Sequence, residues 1–228
     1  MIFFGSVNYV FYAITPQCKL GWKFSTEDRI KSDPLVYGEF VYLSSYDGHV
    51  YALNRHDGKT TWTFPETTPV KGFQQTSSIE TGDFSYSSPT VVDGVLYIGN
   101  LDQRMYAIDA LTGRMLWRYR TQAPITSSPR VYNKTLYFGS NDGFVYAINT
   151  QDQKDIWKFQ TNDWVNSSAT IKNDTLYIGS NDKFIYALNA KDGVSRWKFE
   201  THGAVISAPA LIDTFVLAAD AETEGTIY

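Results

Sequence analysis

A repeat of about 40 residues is the feature that most constrains how this chain can fold. Five tryptophans recur at spacings of 40, 55, 40 and 40 residues: Trp22, Trp62, Trp117, Trp157 and Trp197. A Tyr-Ala pair precedes each of them: Tyr12-Ala13, Tyr51-Ala52, Tyr106-Ala107, Tyr146-Ala147 and Tyr186-Ala187. The spacing of 55 indicates the same period with an insertion of 15 residues. Periods in this range are typical of propellers and other repeat architectures.

Each repeat predicts four short strands. In residues 129–160, apolar and aromatic runs alternate with a turn at Asn133-Lys134 and a hairpin at 141–143, whose Asn, Asp and Gly tolerate positive φ. No segment holds a 3.6-residue apolar period, so we expect almost no helix. One four-stranded sheet cannot cover both its faces, whereas stacked sheets bury them against each other. The sequence therefore predicts an all-β fold, a β-propeller of four-stranded antiparallel blades.

The run at 107–117, AIDALTGRMLW, carries a family resemblance. It resembles the quinoprotein-type (PQQ-like) propeller repeat, whose hallmark is Ala-x-Asp-x-x-Thr-Gly-x-x-x-Trp. The copies at 52–62, 147–157 and 187–197 follow the same pattern, with Asn in place of Asp and with Gln153 in one Gly position. The repeated Trp is expected to cap the contact between blades, where its large area is best used.

The two ends of the chain align with the inside of a repeat. Residues 3–14 match 137–148, so the chain begins at the second strand of a blade, and it ends within a third strand. We expect five to six repeats in one PQQ-like domain over 1–228, forming part of a seven- or eight-bladed ring. The alternative is a short chain that closes imperfectly or pairs its strand edges in a homo-oligomer.

Composition excludes several classes of protein. A formal charge of -4 gives no basic footprint for nucleic acid. Cys18 is the only cysteine, so neither an intramolecular disulfide nor a cysteine zinc cluster can form. The first residues, MIFFGSVNYVFYAI, lack a basic region and a cleavage site, so this chain shows no signal peptide. No apolar run is long enough to span a bilayer.

Candidate binding residues are those that vary within the fixed repeat. The link from each outer strand to the next inner strand ends in Ser-Ser-Pro or a close variant. The residue before it differs each time: Lys31, Tyr86, Thr126, Asn166 and Ile206. We expect these five side chains to line the mouth of the central channel as a ring. The alternative is that they are unconstrained loop residues.

Further candidates lie close to this ring. Arg29, Asp163, Trp164 and His202 precede ring positions, and Trp164 is the one tryptophan outside the repeat. Trp164 could stack on a ligand or plug the local surface, and the plug is the slightly favoured interpretation. The insertion at 66–82 is polar and contains Phe73 as its lone aromatic residue. A long loop of this kind is a candidate for a partner contact.

No catalytic, cofactor or metal site is predicted. The three histidines are scattered, and the sequence contains neither His-Glu-x-x-His nor Gly-x-Ser-x-Gly. The resemblance is to the BamB-like, non-enzymatic branch of the repeat family, which implies a scaffold that holds a protein partner in the periplasm or at the cell surface. The alternative is a fragment of a PQQ-dependent alcohol dehydrogenase, which would need PQQ and Ca²⁺. A third possibility is a module that mediates assembly only through its blade edges.

Overall fold

The computed structural model describes residues 1–65, 87–222 and 225–228. Across these ranges the protein is built from antiparallel strands grouped in six sheets, here named A to F, and contains no helix. The described residues form two compact units, Met1–Arg118 and Tyr119–Tyr228. The predicted all-β architecture is therefore confirmed, while a single domain over 1–228 stays a prediction.

The first unit contains sheets A, B and C. Sheet A consists of β1 (Ile2–Gly5), β2 (Val10–Ile14) and β3 (Leu20–Ser25). Sheet B consists of β4 (Leu35–Tyr37), β5 (Phe40–Ser44), β6 (Val50–Asn54) and β7 (Thr60–Phe64). Sheet C consists of β8 (Thr90–Val92), β9 (Val95–Asn100), β10 (Arg104–Asp109) and β11 (Met115–Arg120), the last of which crosses the unit boundary.

The second unit contains sheets D, E and F. Sheet D consists of β12 (Arg130–Tyr132), β13 (Thr135–Gly139), β14 (Phe144–Asn149) and β15 (Asp155–Gln160). Sheet E consists of β16 (Thr170–Lys172), β17 (Thr175–Gly179), β18 (Phe184–Asn189) and β19 (Ser195–Glu200). Sheet F consists of β20 (Ala210–Ile212) and β21 (Phe215–Leu217), and an isolated bridge joins Ala219 to Ile227.

Turn chemistry explains where the strands reverse. Asn133 and Lys134 have φ values of 48° and 60°, which is the left-handed pair that a two-residue hairpin requires. The longer hairpins of sheets D and E also end on positive φ, at Gly143 and at Lys183. The strand inventory matches the predicted one: three strands in the first sheet, four in each of the next four, and two strands plus a bridge in the last.

The repeated Trp joins one sheet to the next within each unit, as predicted. Trp62 Nε1 donates to the Ala110 carbonyl at 2.9 Å, and a Cβ built on Gly113 would lie 2.7 Å from the indole ring. Trp157 Nε1 donates to the Ala190 carbonyl, also at 2.9 Å, and a Cβ built on Gly193 would lie 2.7 Å from its indole ring. The turn residue must be glycine here because the ring occupies the space of a side chain.

Buried clusters lie between successive sheets of each unit. In the first unit, one cluster includes Phe11, Trp22 and Leu43, and another includes Tyr42, Trp62 and Ile98. In the second unit, Tyr137, Trp157 and Leu188 belong to the cluster between sheets D and E. Trp197 of sheet E is 41% exposed, in contrast to Trp157, which is 8% exposed.

Candidate functional site

A repeated set of hydrogen bonds fixes the linker that enters each sheet. Thr161 is buried, and its hydroxyl lies 2.6 Å from the Asp163 carbonyl and 2.9 Å from that of Gly143. Thr26, Thr121 and Thr201 occupy the same position in their linkers, and each lies within hydrogen-bonding distance of the carbonyl two residues further on. The threonine therefore holds each linker in the same bent path.

In four of the long hairpins an aspartate holds the linker from the other side. Asp182 accepts the Asn162 N–H at 2.9 Å and the Tyr186 hydroxyl at 2.7 Å. Asp47, Asp142 and Asp220 receive a linker N–H and a Tyr hydroxyl in the same way. Burial, followed by the bond to Asp182, raises the pKa of the Tyr186 hydroxyl. The phenol therefore stays protonated at neutral pH and serves as a permanent donor.

The Ser-Ser-Pro element has a structural role. Ser127 accepts the Gly139 N–H at 2.8 Å, and Ser167 accepts the Gly179 N–H at 3.0 Å. A Cβ built on Gly139 would lie 2.3 Å from a Val165 methyl carbon, so this glycine allows the next linker to approach closely. These repeated residues fix the backbone through their hydrogen bonds and close contacts. The residues between them can differ from one repeat to the next.

A backbone hydrogen bond between a linker and its hairpin marks a set of three variable residues. We call them a triplet. It comprises the linker residue whose carbonyl accepts a hairpin N–H, the hairpin residue that donates it, and the linker residue two positions later. The four described triplets are Arg29, Tyr46 and Lys31 for sheet B; Pro124, Asn141 and Thr126 for sheet D; Trp164, Asn181 and Asn166 for sheet E; and Ala204, Ala221 and Ile206 for sheet F.

The triplet of the first unit is cationic and aromatic. Arg29 Cζ lies 4.7 Å from the centre of the Tyr46 ring, and Lys31 Nζ lies 5.9 Å from it. Arg29 also pairs with Asp28 at 3.5 Å. The two cations therefore flank one ring, an arrangement in which the charge is stabilised by the negative face of the aromatic system.

Two triplets of the second unit are joined in one polar row. Thr126 Oγ1 lies 3.1 Å from Asn141 Oδ1 and 2.9 Å from Asn166 Oδ1. Asn166 Nδ2 lies 3.4 Å from Asn181 Oδ1. The structure therefore brings together two members of the predicted ring, Thr126 and Asn166, which are buried, whereas Ile206 is half-buried in the next triplet and Lys31 belongs to the first unit.

Trp164 stands beside this row. Its carbonyl accepts the Asn181 N–H at 2.9 Å, and 38% of the residue is exposed. Both interpretations of Trp164, a surface plug and a contact for a ligand or partner, stay predictions. Asp163, which is exposed, accepts the Trp164 N–H at 2.7 Å and so sets the direction of this linker residue.

His202 lies apart from the row, on the linker that enters sheet F. It is exposed, its Nδ1 lies 2.8 Å from the Tyr228 hydroxyl, and that hydroxyl donates to Asp220 at 2.9 Å. Tyr86, Phe73 and the insertion at 66–82 lie outside the described residues.

Sequence reasoning missed Asn141 and Asn181 as site residues. The sequence predicts Asn141 as part of a hairpin, and the structure has both asparagines in turns. The signal that could have identified them is that they recur at the same separation of 40 residues as Thr126 and Asn166, so the two pairs occupy matching positions in successive repeats.

The described part of the chain has its acidic side chains and histidines dispersed rather than grouped. It contains no group of three or more His, Cys, Asp or Glu side chains able to hold a metal ion. No helix within the described ranges is long and apolar enough to cross a membrane.

Comparison with protein families gives one match that runs along almost the whole chain. The model of a family described as outer membrane protein assembly factor BamB matches residues 2–87, 74–204 and 152–227. The 1-butanol dehydrogenase (cytochrome c) of Thauera butanivorans is 30% identical over 105 residues, which is 45% of this chain and 14% of the dehydrogenase. BamB of Yersinia pestis is 25% identical over 120 residues, 52% of this chain and 28% of that protein. The matched regions are therefore well under two thirds of either relative.

Solved structures show the same fold. BamB from Moraxella catarrhalis superposes with a TM-score of 0.78 over 99% of this chain and 71% of that chain, at 19% identity. At this identity the likeness establishes the fold alone. The predicted β-propeller of PQQ-like repeats is confirmed, since the sheets and the family match agree.

Proposed function

Because this chain belongs to the family of the outer membrane protein assembly factor BamB, we propose that it is a non-enzymatic propeller module that binds a protein partner through its triplets. Trp164 is the single observation that carries the proposal. A large aromatic side chain that is 38% exposed and sits on a linker fixed by hydrogen bonds is an anchor of the kind that dominates protein interfaces.

The rigidity of the linker supports this role. Trp164 has its N–H bonded to Asp163 and its carbonyl bonded to Asn181 and Ser180. A backbone held in this way loses little conformational entropy when a partner binds. The family's role in outer membrane protein assembly supports a location of the full-length protein in the periplasm or at the cell surface, which is part of the proposal.

The alternative function is a fragment of a quinone-dependent alcohol dehydrogenase. The Thauera enzyme favours it at 30% identity, but over 14% of that enzyme only. Under our proposal, adding PQQ and Ca²⁺ to the full-length protein produces no alcohol-dependent dye reduction, and turnover in this assay would contradict a non-enzymatic role. The edge-mediated homo-oligomer that the sequence left open has no support in these findings.

Site-specific photocrosslinking in the native cell tests the binding role. A benzophenone amino acid at position 164 of the full-length protein is expected to capture one dominant protein. The matched control is position 156 on the outer strand β15, because Ile156 has a similar exposure of 44%. Equal or absent capture from both positions would contradict a partner site at Trp164.

A further inference from the structure

In the row formed by Asn141, Thr126, Asn166 and Asn181, the distances between polar atoms restrict which groups can donate hydrogen bonds. Thr126 Oγ1 lies within 3.1 Å of one amide oxygen and 2.9 Å of another, those of Asn141 and Asn166. A hydroxyl carries one proton and can donate only one of these bonds. One of the two amides must therefore turn its NH₂ group, rather than its oxygen, toward Thr126.

Two arrangements satisfy this requirement. In the first, Thr126 donates to Asn166, Asn166 donates to Asn181, and Asn141 donates to Thr126. In the second, every bond runs the other way: Asn181 donates to Asn166, Asn166 donates to Thr126, and Thr126 donates to Asn141. Contacts of 3.1, 2.9 and 3.4 Å allow both, since the oxygen and nitrogen of an amide have nearly the same shape.

The two ends of the row have opposite character in either arrangement. In the first, Asn141 has its carbonyl free and Asn181 has its NH₂ group free. In the second, Asn141 has its NH₂ group free and Asn181 has its carbonyl free. Asn141 and Asn181 are half-buried, while Thr126 and Asn166 between them are 4% and 8% exposed. In either arrangement, one end therefore has a carbonyl that makes no bond within the row, and the other end has an NH₂ group that makes none.

We propose that this row, with Trp164 beside it, binds an extended and uncharged peptide segment through the main chain of that segment. The inference rests on the proposed function and names the chemistry of the partner. A peptide main chain carries a separate C=O acceptor and N–H donor, which is the pair that the two ends of the row complement. Trp164, bonded to Asn181 through its carbonyl, supplies the apolar contact for a side chain of the segment.

Charge near the row supports a neutral ligand. Asp142 and Asp182 are engaged by Tyr hydroxyls and linker N–H groups, and Asp163 accepts the Trp164 N–H. Lys183 donates to the His202 carbonyl at 3.0 Å and faces Glu222 at 4.0 Å. Within the second unit, the side-chain hydrogen bonds described for the row join its four residues to one another and involve no lysine or arginine.

A neutral sugar is the competing ligand, and the row distinguishes the two in principle. Each sugar hydroxyl both donates and accepts, so a sugar does not require the ends of the row to have opposite character. A peptide main chain matches such ends directly, because its donor and acceptor are different atoms.

Display of random dodecapeptides against the immobilised full-length protein tests the proposal, with a panel of neutral oligosaccharides as a parallel arm. We expect uncharged sequences to be enriched. Their affinity should fall about tenfold in Thr126→Val, which interrupts the row, and about tenfold in Trp164→Ala. It should change less than about twofold between roughly 50 and 300 mM salt. Thr150→Val is the matched control, since Thr150 bonds to Lys134 in sheet D outside any triplet.

Several outcomes would overturn the proposal: enrichment of charged peptides, no enrichment at all, binding by the oligosaccharides alone, or unchanged affinity in a folded Thr126→Val variant. A second readout is the side-chain amide signals of Asn141 and Asn181 in an NMR titration with an enriched peptide. Both should shift together, and movement of neither would contradict the proposal. If crosslinking from position 164 persists while these tests fail, the proposed function stands and only the chemistry assigned to the partner is wrong.

Discussion

The triplets of sheets B and E share one backbone and display opposite chemistry. Arg29 and Trp164 occupy the same linker position, and each carbonyl accepts a hairpin N–H at 2.9 Å. The threonines behind them, Thr26 and Thr161, lie 2.6 Å from the carbonyl two residues on in both cases. Yet one triplet is cationic and the other neutral. Residues that hold the backbone are thus distinct from residues that contact solvent, and the second set can change without disturbing the first.

The largest effect should come from removing a framework residue that is covered on all sides. Trp157→Ala loses the packing on Gly193 and the bond to the Ala190 carbonyl, and should lower the free energy of unfolding by about 3–5 kcal/mol. Trp197→Ala is the matched control; because Trp197 is 41% exposed, its loss should cost about 1 kcal/mol. Urea denaturation of both variants gives the comparison, and equal costs would show that Trp burial does not set blade stability.

A second effect should come from the aspartate that fixes the linker. Asp182→Ala removes the acceptor for the Asn162 N–H, the Phe184 N–H and the Tyr186 hydroxyl. We expect a loss of about 2–3 kcal/mol and a shift in the fluorescence of Trp164, whose linker is released. Asp192→Ala, in the exposed turn that precedes β19, should cost less than about 1 kcal/mol. If Asp182→Ala left both stability and fluorescence unchanged, the framework role of the aspartate would be wrong.

The third prediction concerns alkaline pH. Burial raises the pKa of Tyr42 from 10.0 to about 12, so the folded state keeps a proton that the unfolded state has already lost. The stability from this group is full below pH 10 and declines as the pH rises toward about 12. Tyr42→Phe should therefore reduce the loss of unfolding free energy between pH 9 and pH 12, by on the order of 1–2 kcal/mol. An identical decline in both proteins would contradict this assignment.

The smallest effect should come from exchanging the partly exposed side chains of Arg29 and Trp164. Arg29→Trp and Trp164→Arg should each change the free energy of unfolding by less than about 0.5 kcal/mol, because both side chains are partly exposed and the framework bonds use only their main chain. Thermal unfolding at neutral pH is sufficient to measure this. A loss of several kcal/mol from either exchange would mean that these partly exposed side chains also help to hold the linker backbone.

Much of the fold could be predicted because the framework residues repeat. Trp62 and Trp157 mark the same contact, and Asn133-Lys134 marks a turn through its left-handed preference. The polar row could be predicted only in part. Thr126 and Asn166 stood out because they varied at a fixed position, but a sequence does not show that a hydroxyl will meet two amides. Asn141 and Asn181 were hidden, since the preference that places asparagine in a hairpin also explains its presence there.

Asn166 also decides whether the orientation of a ligand is fixed by the protein. If its amide rotates together with those of Asn141 and Asn181, every bond along the row reverses and the groups left without a bond at the two ends exchange. A segment running in one chain direction and a segment running in the other would then meet equally complementary partners. Directional choice falls to Trp164, which flanks one end alone, so Trp164→Ala should leave a surface that accepts both polarities of chain.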